Sequence, residues 1–222
     1  MKKKIILIAL IGAILSVLIY LNTKKEEINI VALGDGISLG MTPYKIEGYS
    51  YNDYLKDHYK EKQILNHYYN YSELNLTAKE LIYAIKENQK ITLKNKEIEI
   101  QRVIHEADIL TLCIGMDELS VDKITKNMIN AYKKDLEELL NMIKFLNNKK
   151  VFVLGLYTMK NEEELNIMKL NAIIKDFSIK NNFIFLDINN MLKEDKYYLD
   201  KNSYYINYEG HKRIYKELLK AI

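Results

Sequence analysis

The sequence predicts an α/β domain of three layers, in which a five-stranded parallel sheet lies between two layers of helices. Short apolar segments alternate along the chain with longer helical patterns, as they do in βαβ units. The first segment, Ile28–Leu33, is almost entirely apolar and leads directly into Gly34, Gly36 and Gly40. Such a run is typical of a parallel strand covered on both faces. About 200 residues follow the amino-terminal segment, which is enough for one core.

Five segments carry the strand pattern. Each is short, rich in apolar or β-branched residues, and bounded by residues that favour turns. Because parallel strands joined by helices end at the same edge of a sheet, the residues that follow them are expected to meet there. The predicted strands are Ile28–Leu33, Gln63–Tyr68, Ile109–Ile114, Val151–Leu154 and Phe183–Ile188.

The stretches between these strands have helical patterns. Thr77 and Glu80 form a capping box, which marks the start of a helix. The longest predicted helix covers about Met128–Asn147, and another covers about Glu162–Asn181. A last helix follows Gly210 and carries its apolar residues on one stripe. Strands that alternate with helices in this way predict a mostly parallel sheet with helices on both faces.

The first 25 residues differ from the rest of the chain. Lys2, Lys3 and Lys4 precede an apolar run of 17 residues, 5–21, which is at the short end of what spans a bilayer. No small-residue cleavage site follows this run, so we predict an uncleaved signal-anchor over residues 1–25; a cleaved signal peptide is the alternative. The leading lysines predict a single-pass protein of the cell membrane, with the domain 26–222 outside the cytoplasm.

Charge and cysteine content exclude some classes of function. The chain has 33 basic and 30 acidic residues, and residues 1–25 hold five lysines and no acids, which leaves 28 against 30 for the domain. A slightly acidic domain has no electrostatic footprint for nucleic acid, so we expect no nucleic-acid partner. The single cysteine, Cys113, lies in an apolar run and permits no internal disulfide. Nothing in the composition calls for a cofactor.

The glycines indicate where a site lies. Three of them close the first strand, and Gly115 and Gly155 close the third and fourth. With the flavodoxin-like strand order 2-1-3-4-5, the topological switch point lies between strands one and three. That order places Asp35, Asp117 and Glu118 together at the opening of one cleft. These carboxylates could act as an acid–base set or hold a hard cation, but acidic residues at loop ends also commonly cap helices, and we expect no metal.

Three motifs in this chain resemble those of the SGNH, or GDSL-type, hydrolase family. GDGISLG follows the first strand, GMDEL follows the third, and NSYYINYEGH precedes the last helix. They correspond in order and spacing to the family's GDS, GxND and DxxHPNxxGH blocks, and the resemblance covers nearly all of residues 28–222. It implies the five-stranded α/β/α fold. It also implies an activity on esters or acetyl groups, including those of cell-wall and other polysaccharides.

The chain departs from the family at the residues that carry catalysis. Gly36 stands in place of the nucleophilic serine, and Tyr205 in place of the histidine base. Asn75 and Asp117 stand in place of the glycine and asparagine that donate to the oxyanion, and Asn202 in place of the acid. A hydroxyl nucleophile needs an adjacent base and an orienting group. A carboxylate at position 117 would oppose the charge that develops in the transition state.

Two functional hypotheses follow. The first is a membrane-anchored protein of hydrolase-like fold that does not hydrolyse and binds an envelope glycan, a lipid or a protein partner. The second is an active esterase or acyltransferase on envelope acyl esters, with Ser38 as a rearranged nucleophile; the simpler role for Ser38 is to bond backbone amides in the first helical turn. The predicted ligand-binding cleft is lined by Asp35, Gly36, Ile37, Asn75, Gly115, Asp117, Glu118, Asn202 and Tyr205.

Overall fold

The computed structural model describes residues 26–93, 96–119, 123–158, 163–200 and 203–222. Within these ranges the strands are β1 (Ile28–Gly34), β2 (Leu65–Ser72), β3 (Lys90–Leu93), β4 (Lys96–Glu99), β5 (Ile109–Cys113), β6 (Lys150–Leu154) and β7 (Ile184–Leu186). The helices are α1 (Gly36–Leu39), α2 (Tyr51–Glu61), α3 (Ala78–Lys86), α4 (Ile100–Glu106), α5 (Lys126–Leu146), α6 (Glu164–Lys180), α7 (Ile188–Met191) and α8 (Tyr208–Ala221). A short 3-10 helix covers Asp195–Tyr197.

The main sheet has five parallel strands in the order β2-β1-β5-β6-β7. This confirms the predicted five-stranded parallel sheet and its strand order. The chain moves from β1 to β2 in one direction along the sheet and through the later strands in the other. Because such crossovers are right-handed, α2 lies on one face and α3, α5 and α6 on the other. The contacts agree, since α2 packs on α8 while α5 packs on both α3 and α6.

The helix predictions hold with small shifts of their ends. The capping box at Thr77 and Glu80 is formed, with each side chain bonded to the other residue's backbone amide. The last helix begins two residues before Gly210 rather than after it, because the side chain of Asn207 accepts hydrogen bonds from the amides of Glu209 and Gly210. An antiparallel hairpin, β3 with β4, was not predicted. Its strands of four residues are too short to show a clear periodicity.

The register of the central strands aligns the carboxyl ends of β1, β2 and β5 at the same edge of the sheet. Gly34 pairs with Ser72 of β2 on one side and with Cys113 of β5 on the other. Gly34 has a φ of +150°, and a Cβ there would lie 1.9 Å from the carbonyl oxygen of Cys113. Glycine is therefore required at this position. As a result the loops after β1, β2 and β5 start from neighbouring points.

The predicted signal-anchor, residues 1–25, lies outside the described residues. Among the residues that are described, none of the helices combines the length and the apolar character needed to cross a membrane.

The burial of two phenylalanine side chains predicts how strongly each contributes to stability. Phe152 of β6 is completely buried, whereas Phe145 near the end of α5 is 86% exposed. Replacing Phe152 by alanine leaves a cavity and is expected to lower the free energy of unfolding by about 3–5 kcal/mol. The matched control, Phe145→Ala, should change it by no more than about 0.5 kcal/mol. Denaturant unfolding followed by circular dichroism measures both, and equal losses would contradict the assignment of the core.

Candidate functional site

The site is built where the loops after β1, β2 and β5 meet. Asp35 caps α1, and its Oδ1 accepts a hydrogen bond from the amide of Ile37 at 3.3 Å. Its Oδ2 accepts from the amides of Met116 at 2.7 Å and Asp117 at 3.3 Å in the loop after β5. One buried carboxylate therefore holds the first and third loops together.

The carboxylate of Asp117 is the centre of the site. Its Oδ2 accepts hydrogen bonds from the backbone amides of Gly36 at 2.9 Å and Asn75 at 2.8 Å. Its Oδ1 accepts from the hydroxyl of Tyr205 at 2.9 Å. The structure thus brings together four residues of the predicted cleft from four different segments of the chain.

Unusual backbone conformations at Asn75 and Gly115 orient the groups that meet at the site. Asn75 has a φ of 62°, in the left-handed region that asparagine tolerates better than most residues. In this conformation its amide points at Asp117. Gly115 has a φ of +109°, and a Cβ there would lie 2.6 Å from the ring of Tyr132, so the turn before Asp117 also needs glycine.

The backbone amide of Gly36 is a hydrogen-bond donor, and the absence of a side chain at this position leaves room for the neighbouring groups. A Cβ at this position would lie 2.9 Å from Oδ2 of Asp117 and 3.0 Å from the hydroxyl oxygen of Tyr205. Real Cβ atoms essentially never approach other atoms more closely than this. Asp117, which accepts from the Gly36 amide, and Tyr205 therefore fill the volume that a nucleophile's side chain would need.

Tyr205 is held by its neighbours in the position of the family's base. It is 8% exposed, and its ring packs edge-to-face against Tyr204 with centroids 4.8 Å apart. The Tyr204 hydroxyl donates to the carbonyl of Met116, and Tyr157 donates to the carbonyl of Tyr204 at 3.1 Å. Burial, followed by the nearby charge of Asp117, raises the pKa of Tyr205 above its ordinary value. The phenol is therefore a donor here and not a base at neutral pH.

Ser38 lies beneath the site, not in it. It is completely buried, and its hydroxyl donates to the carbonyl of Leu33 at 3.4 Å. The same hydroxyl accepts from the side chains of Asn52 at 3.0 Å and Tyr51 at 3.3 Å. Asn52 also accepts from Thr111 at 2.7 Å, which ties α1 and α2 to β5. None of these partners is a base, so the described contacts of Ser38 are those of a structural residue.

The other predicted cleft residues have different positions. Asp35 and Ile37 have no exposed surface, so they support the site from below and do not line it. Glu118 is half-buried and accepts a hydrogen bond from the amide of Ala78 at 3.2 Å, at the start of α3. Asn202 lies outside the described residues. Within the described parts of the chain, no cluster of three or more His, Cys, Asp or Glu side chains is placed to hold a metal ion.

His211 is a buried titratable group that lies outside the predicted cleft. It is 1% exposed, and its ring stacks on Tyr51 with centroids 6.3 Å apart. Neither ring nitrogen has a hydrogen-bond partner among the described residues. Burial lowers the pKa of His211 to about 4, against smaller opposing effects of the Met41 backbone and Asp53. The Met41 backbone therefore acts electrostatically without completing a hydrogen bond, and the imidazole is neutral at pH 7.

Comparisons with known proteins identify the fold. No protein-family model and no curated protein matches the chain. An acetylxylan esterase from Geobacillus stearothermophilus superposes with a TM-score of 0.67 at 15% identity, covering 88% of this chain and 94% of that one. A lipase from a goat rumen metagenome gives 0.69 at 17% identity, covering 87% and 97%. An α/β-hydrolase enzyme from the Lake Arreo metagenome gives 0.66 at 15% identity, covering 89% and 96%.

The likeness extends over nearly the whole length of both chains in each pair. The protein therefore has an SGNH/GDSL-type hydrolase fold, as the sequence motifs predicted. Catalytic variants of the acetylxylan esterase replace a serine, an aspartate and a histidine of that enzyme. In this chain the positions that the resemblance assigns to the serine and the histidine hold Gly36 and Tyr205.

Asp35 is expected to make stability depend on pH. Burial, followed by repulsion from Asp117, raises its pKa from 3.8 to about 7. The folded state then holds the proton more tightly than the unfolded state. The resulting stabilisation, about 4 kcal/mol, is complete below pH 4 and is lost as the pH rises through 7. The difference in the free energy of unfolding between wild type and Asp35→Asn should therefore fall as the pH rises from 4 through 7. Denaturant unfolding at several pH values measures this difference.

His211 serves as a control for this prediction, because its pKa is shifted in the opposite direction. Its folded-state pKa of about 4 lies below the ordinary 6.5, so its contribution is present above pH 6.5 and is lost as the pH falls through 4. His211→Phe keeps the ring stacked on Tyr51 and should be favoured over wild type at acidic pH. A constant difference in the free energy of unfolding between wild type and Asp35→Asn from pH 4 to 7 would contradict the raised pKa of buried Asp35.

The crowding around Gly36 predicts a coupling. Gly36→Ala should lower the free energy of unfolding by about 1–3 kcal/mol, because the new Cβ meets Asp117 and Tyr205. Combined with Asp117→Gly, which removes the obstructing carboxylate, the loss should be smaller than the sum of the two single losses. The control pair, Gly36→Ala with Phe145→Ala, should be additive, since these residues lie at opposite edges of the sheet. Additivity in both pairs would refute the contact.

Proposed function

We propose that this protein is a membrane-anchored, extracytoplasmic binding protein with a hydrolase fold that does not hydrolyse esters. The observation that carries the proposal is the position of the Asp117 carboxylate on the amides of Gly36 and Asn75. In acyl-transfer enzymes, a pair of backbone amides of this kind binds the oxyanion of the transition state. Here a resident negative charge satisfies both donors.

An ester substrate would meet three obstacles at this site. Its carbonyl oxygen would have to displace a carboxylate held by two charge-assisted hydrogen bonds, each of which contributes about 1.5–3 kcal/mol. No side chain at Gly36 can attack the carbonyl carbon. Tyr205 is a poor base because its pKa is raised. Loss of triad members leaves about 10³–10⁴-fold catalysis over water from the oxyanion hole and binding, and Asp117 removes the first of these contributions.

The ligand that we propose is a component of the cell envelope. The acetylxylan and acetyl-xylooligosaccharide esterases among the structural neighbours support a glycan; a lipid or a protein partner is the other candidate. Membrane attachment through residues 5–21 and an extracytoplasmic location rest on the lysine-flanked apolar run. Since function depends on the site and not on the fold, the hydrolase fold by itself does not imply hydrolysis.

Activity measurements test the chemical part of the proposal. The purified protein should show no turnover of a short-chain aryl ester above background and no adduct with a serine-directed phosphonate. Ser38→Ala is the control variant. Turnover that this variant abolishes, or an adduct mapped to Ser38, would establish the rearranged esterase or acyltransferase instead.

Restoring the family's residues gives a positive control. Gly36→Ser alone should remain inactive, since Asp117 still occupies the donors and Tyr205 the place of the base. The combination of Gly36→Ser, Asp117→Asn, Asn202→Asp and Tyr205→His should produce measurable turnover of the same aryl ester. Activity in the combined variant only would show that the donors are intact and that the native side chains suppress catalysis. Activity in Gly36→Ser alone would contradict the role given to Asp117.

A further inference from the structure

The edge of the sheet opposite the candidate site is where the domain joins the amino-terminal segment. We define the tether pole as the start of β1 together with the last turns of α2, α4, α5 and α6 and the connections that lead from them into the first residues of the other strands of the main sheet. Direct contacts join its parts. The amide of Ile28 donates to the carbonyl of Ile64 at 2.7 Å. The amide of Asn29 donates to Asp108 at 2.8 Å, and the Asn29 side chain donates to the carbonyl of Glu106 at 3.2 Å.

The tether pole carries protruding apolar side chains. Phe145 is 86% exposed at the end of α5, and Ile179 is 60% exposed at the end of α6. The end of α5 is fixed next to the chain entry, since the carbonyl of Leu146 contacts His105 at 2.9 Å and the side chain of Asn147 donates to the carbonyl of Ala107 at 2.8 Å. A Phe that is fully exposed on a rigid helix end is costly in water and favourable at a membrane interface.

Lysines also lie at the tether pole, and two of them, Lys144 and Lys180, are the sequence neighbours of Phe145 and Ile179. Another of these lysines, Lys149, pairs with Asp108 at 2.6 Å, and Lys180 pairs with Glu137 at 2.9 Å. Long lysine side chains can place their apolar stems along a surface and their ammonium groups among phosphates. Asp108 and Glu137 pair with two of these lysines, so contact with the bilayer does not depend on anionic lipids. The lysines of the pole are Lys60, Lys62, Lys144, Lys149, Lys150 and Lys180.

The length of the tether decides which part of the domain can reach the bilayer. Six residues, 22–27, separate the apolar run from β1, and they span about 20 Å when fully extended. A domain of this size has a diameter of about 40 Å. The candidate site lies beyond the carboxyl end of β1, which adds about 20 Å of strand between the tether and the site. If the domain turned over, the start of β1 would lie nearly the full diameter of about 40 Å above the membrane, about twice the reach of the extended tether. The tether therefore does not let the site reach the membrane that anchors the domain.

From these observations, and resting on the anchor in the proposed function, we propose that the tether pole lies on the surface of the phospholipid bilayer. Phe145 and Ile179 enter the headgroup region, and the lysines contact the phosphates. The candidate site then faces away from the membrane. Lipids within the anchoring bilayer cannot reach the candidate site. A ligand of the site must therefore lie away from the membrane surface.

Site-specific fluorescence in vesicles tests this arrangement. The full chain is reconstituted into phosphatidylcholine vesicles that contain lipids with a doxyl quencher near the headgroup. A bimane label is placed at Phe145→Cys, at Ile179→Cys or, as the control, at Leu74→Cys beside Asn75 of the site. The native Cys113 is buried, so the unsubstituted chain reports the background labelling. We expect quenching several-fold stronger at positions 145 and 179 than at 74.

The possible failures are distinguishable. Labelled chain that floats with the vesicles but is quenched equally at all three positions, or most strongly at 74, overturns the orientation and leaves the proposed function standing. Chain that does not float with the vesicles overturns the anchor and this inference together. Because Phe145 and Ile179 are exposed, their cysteine variants should retain the wild-type circular dichroism spectrum, which confirms that quenching is measured on folded protein.

Discussion

The carboxylate of Asp117 is the interaction on which the site depends. It joins Gly36, Asn75 and Tyr205, which are 81, 42 and 88 positions away in the sequence. Asp35 lies beneath and accepts hydrogen bonds from the backbone of the same loop. Burial, followed by repulsion from Asp117, raises the pKa of Asp35 to about 7. The loops of the site are thus joined by hydrogen bonds to these two side chains.

The residues that replace the family's catalytic groups form one consistent set. Glycine at position 36 leaves room for the Asp117 carboxylate and for the Tyr205 hydroxyl. The carboxylate in turn accepts hydrogen bonds from the amides of Gly36 and Asn75, and Tyr205 donates to it at the position that the resemblance assigns to the base. Each replacement accommodates the others, because a serine at 36 would collide with both partners. For this reason the replacements are better described as one rearranged hydrogen-bond network than as separate changes.

The polarity of a parallel sheet links this site to the rest of the protein. All strands of the main sheet run in the same direction, so the amino ends and the carboxyl ends form two opposite poles. The carboxyl pole holds the candidate site, and the amino pole holds the start of β1 and the exposed Phe145. A short tether at the amino pole would then give the domain a fixed direction relative to a membrane. Topology alone is enough to separate the two surfaces.

The sequence by itself determined the strands of the main sheet, their order, the capping box of α3 and the chain positions that meet at the site. The strands and the capping box depend on the period of apolar residues and on turn-forming residues, which are local properties of the chain. The positions of Asn75 and Tyr205 at the site follow instead from the resemblance to the SGNH family motifs. Only the tertiary structure decided that Ser38, Asp35 and Ile37 are buried, that β3 and β4 form a hairpin, and that the Asp117 carboxylate points at the amides of Gly36 and Asn75. The direction of a side chain is set by contacts between residues far apart in sequence, and a local pattern contains no information about them.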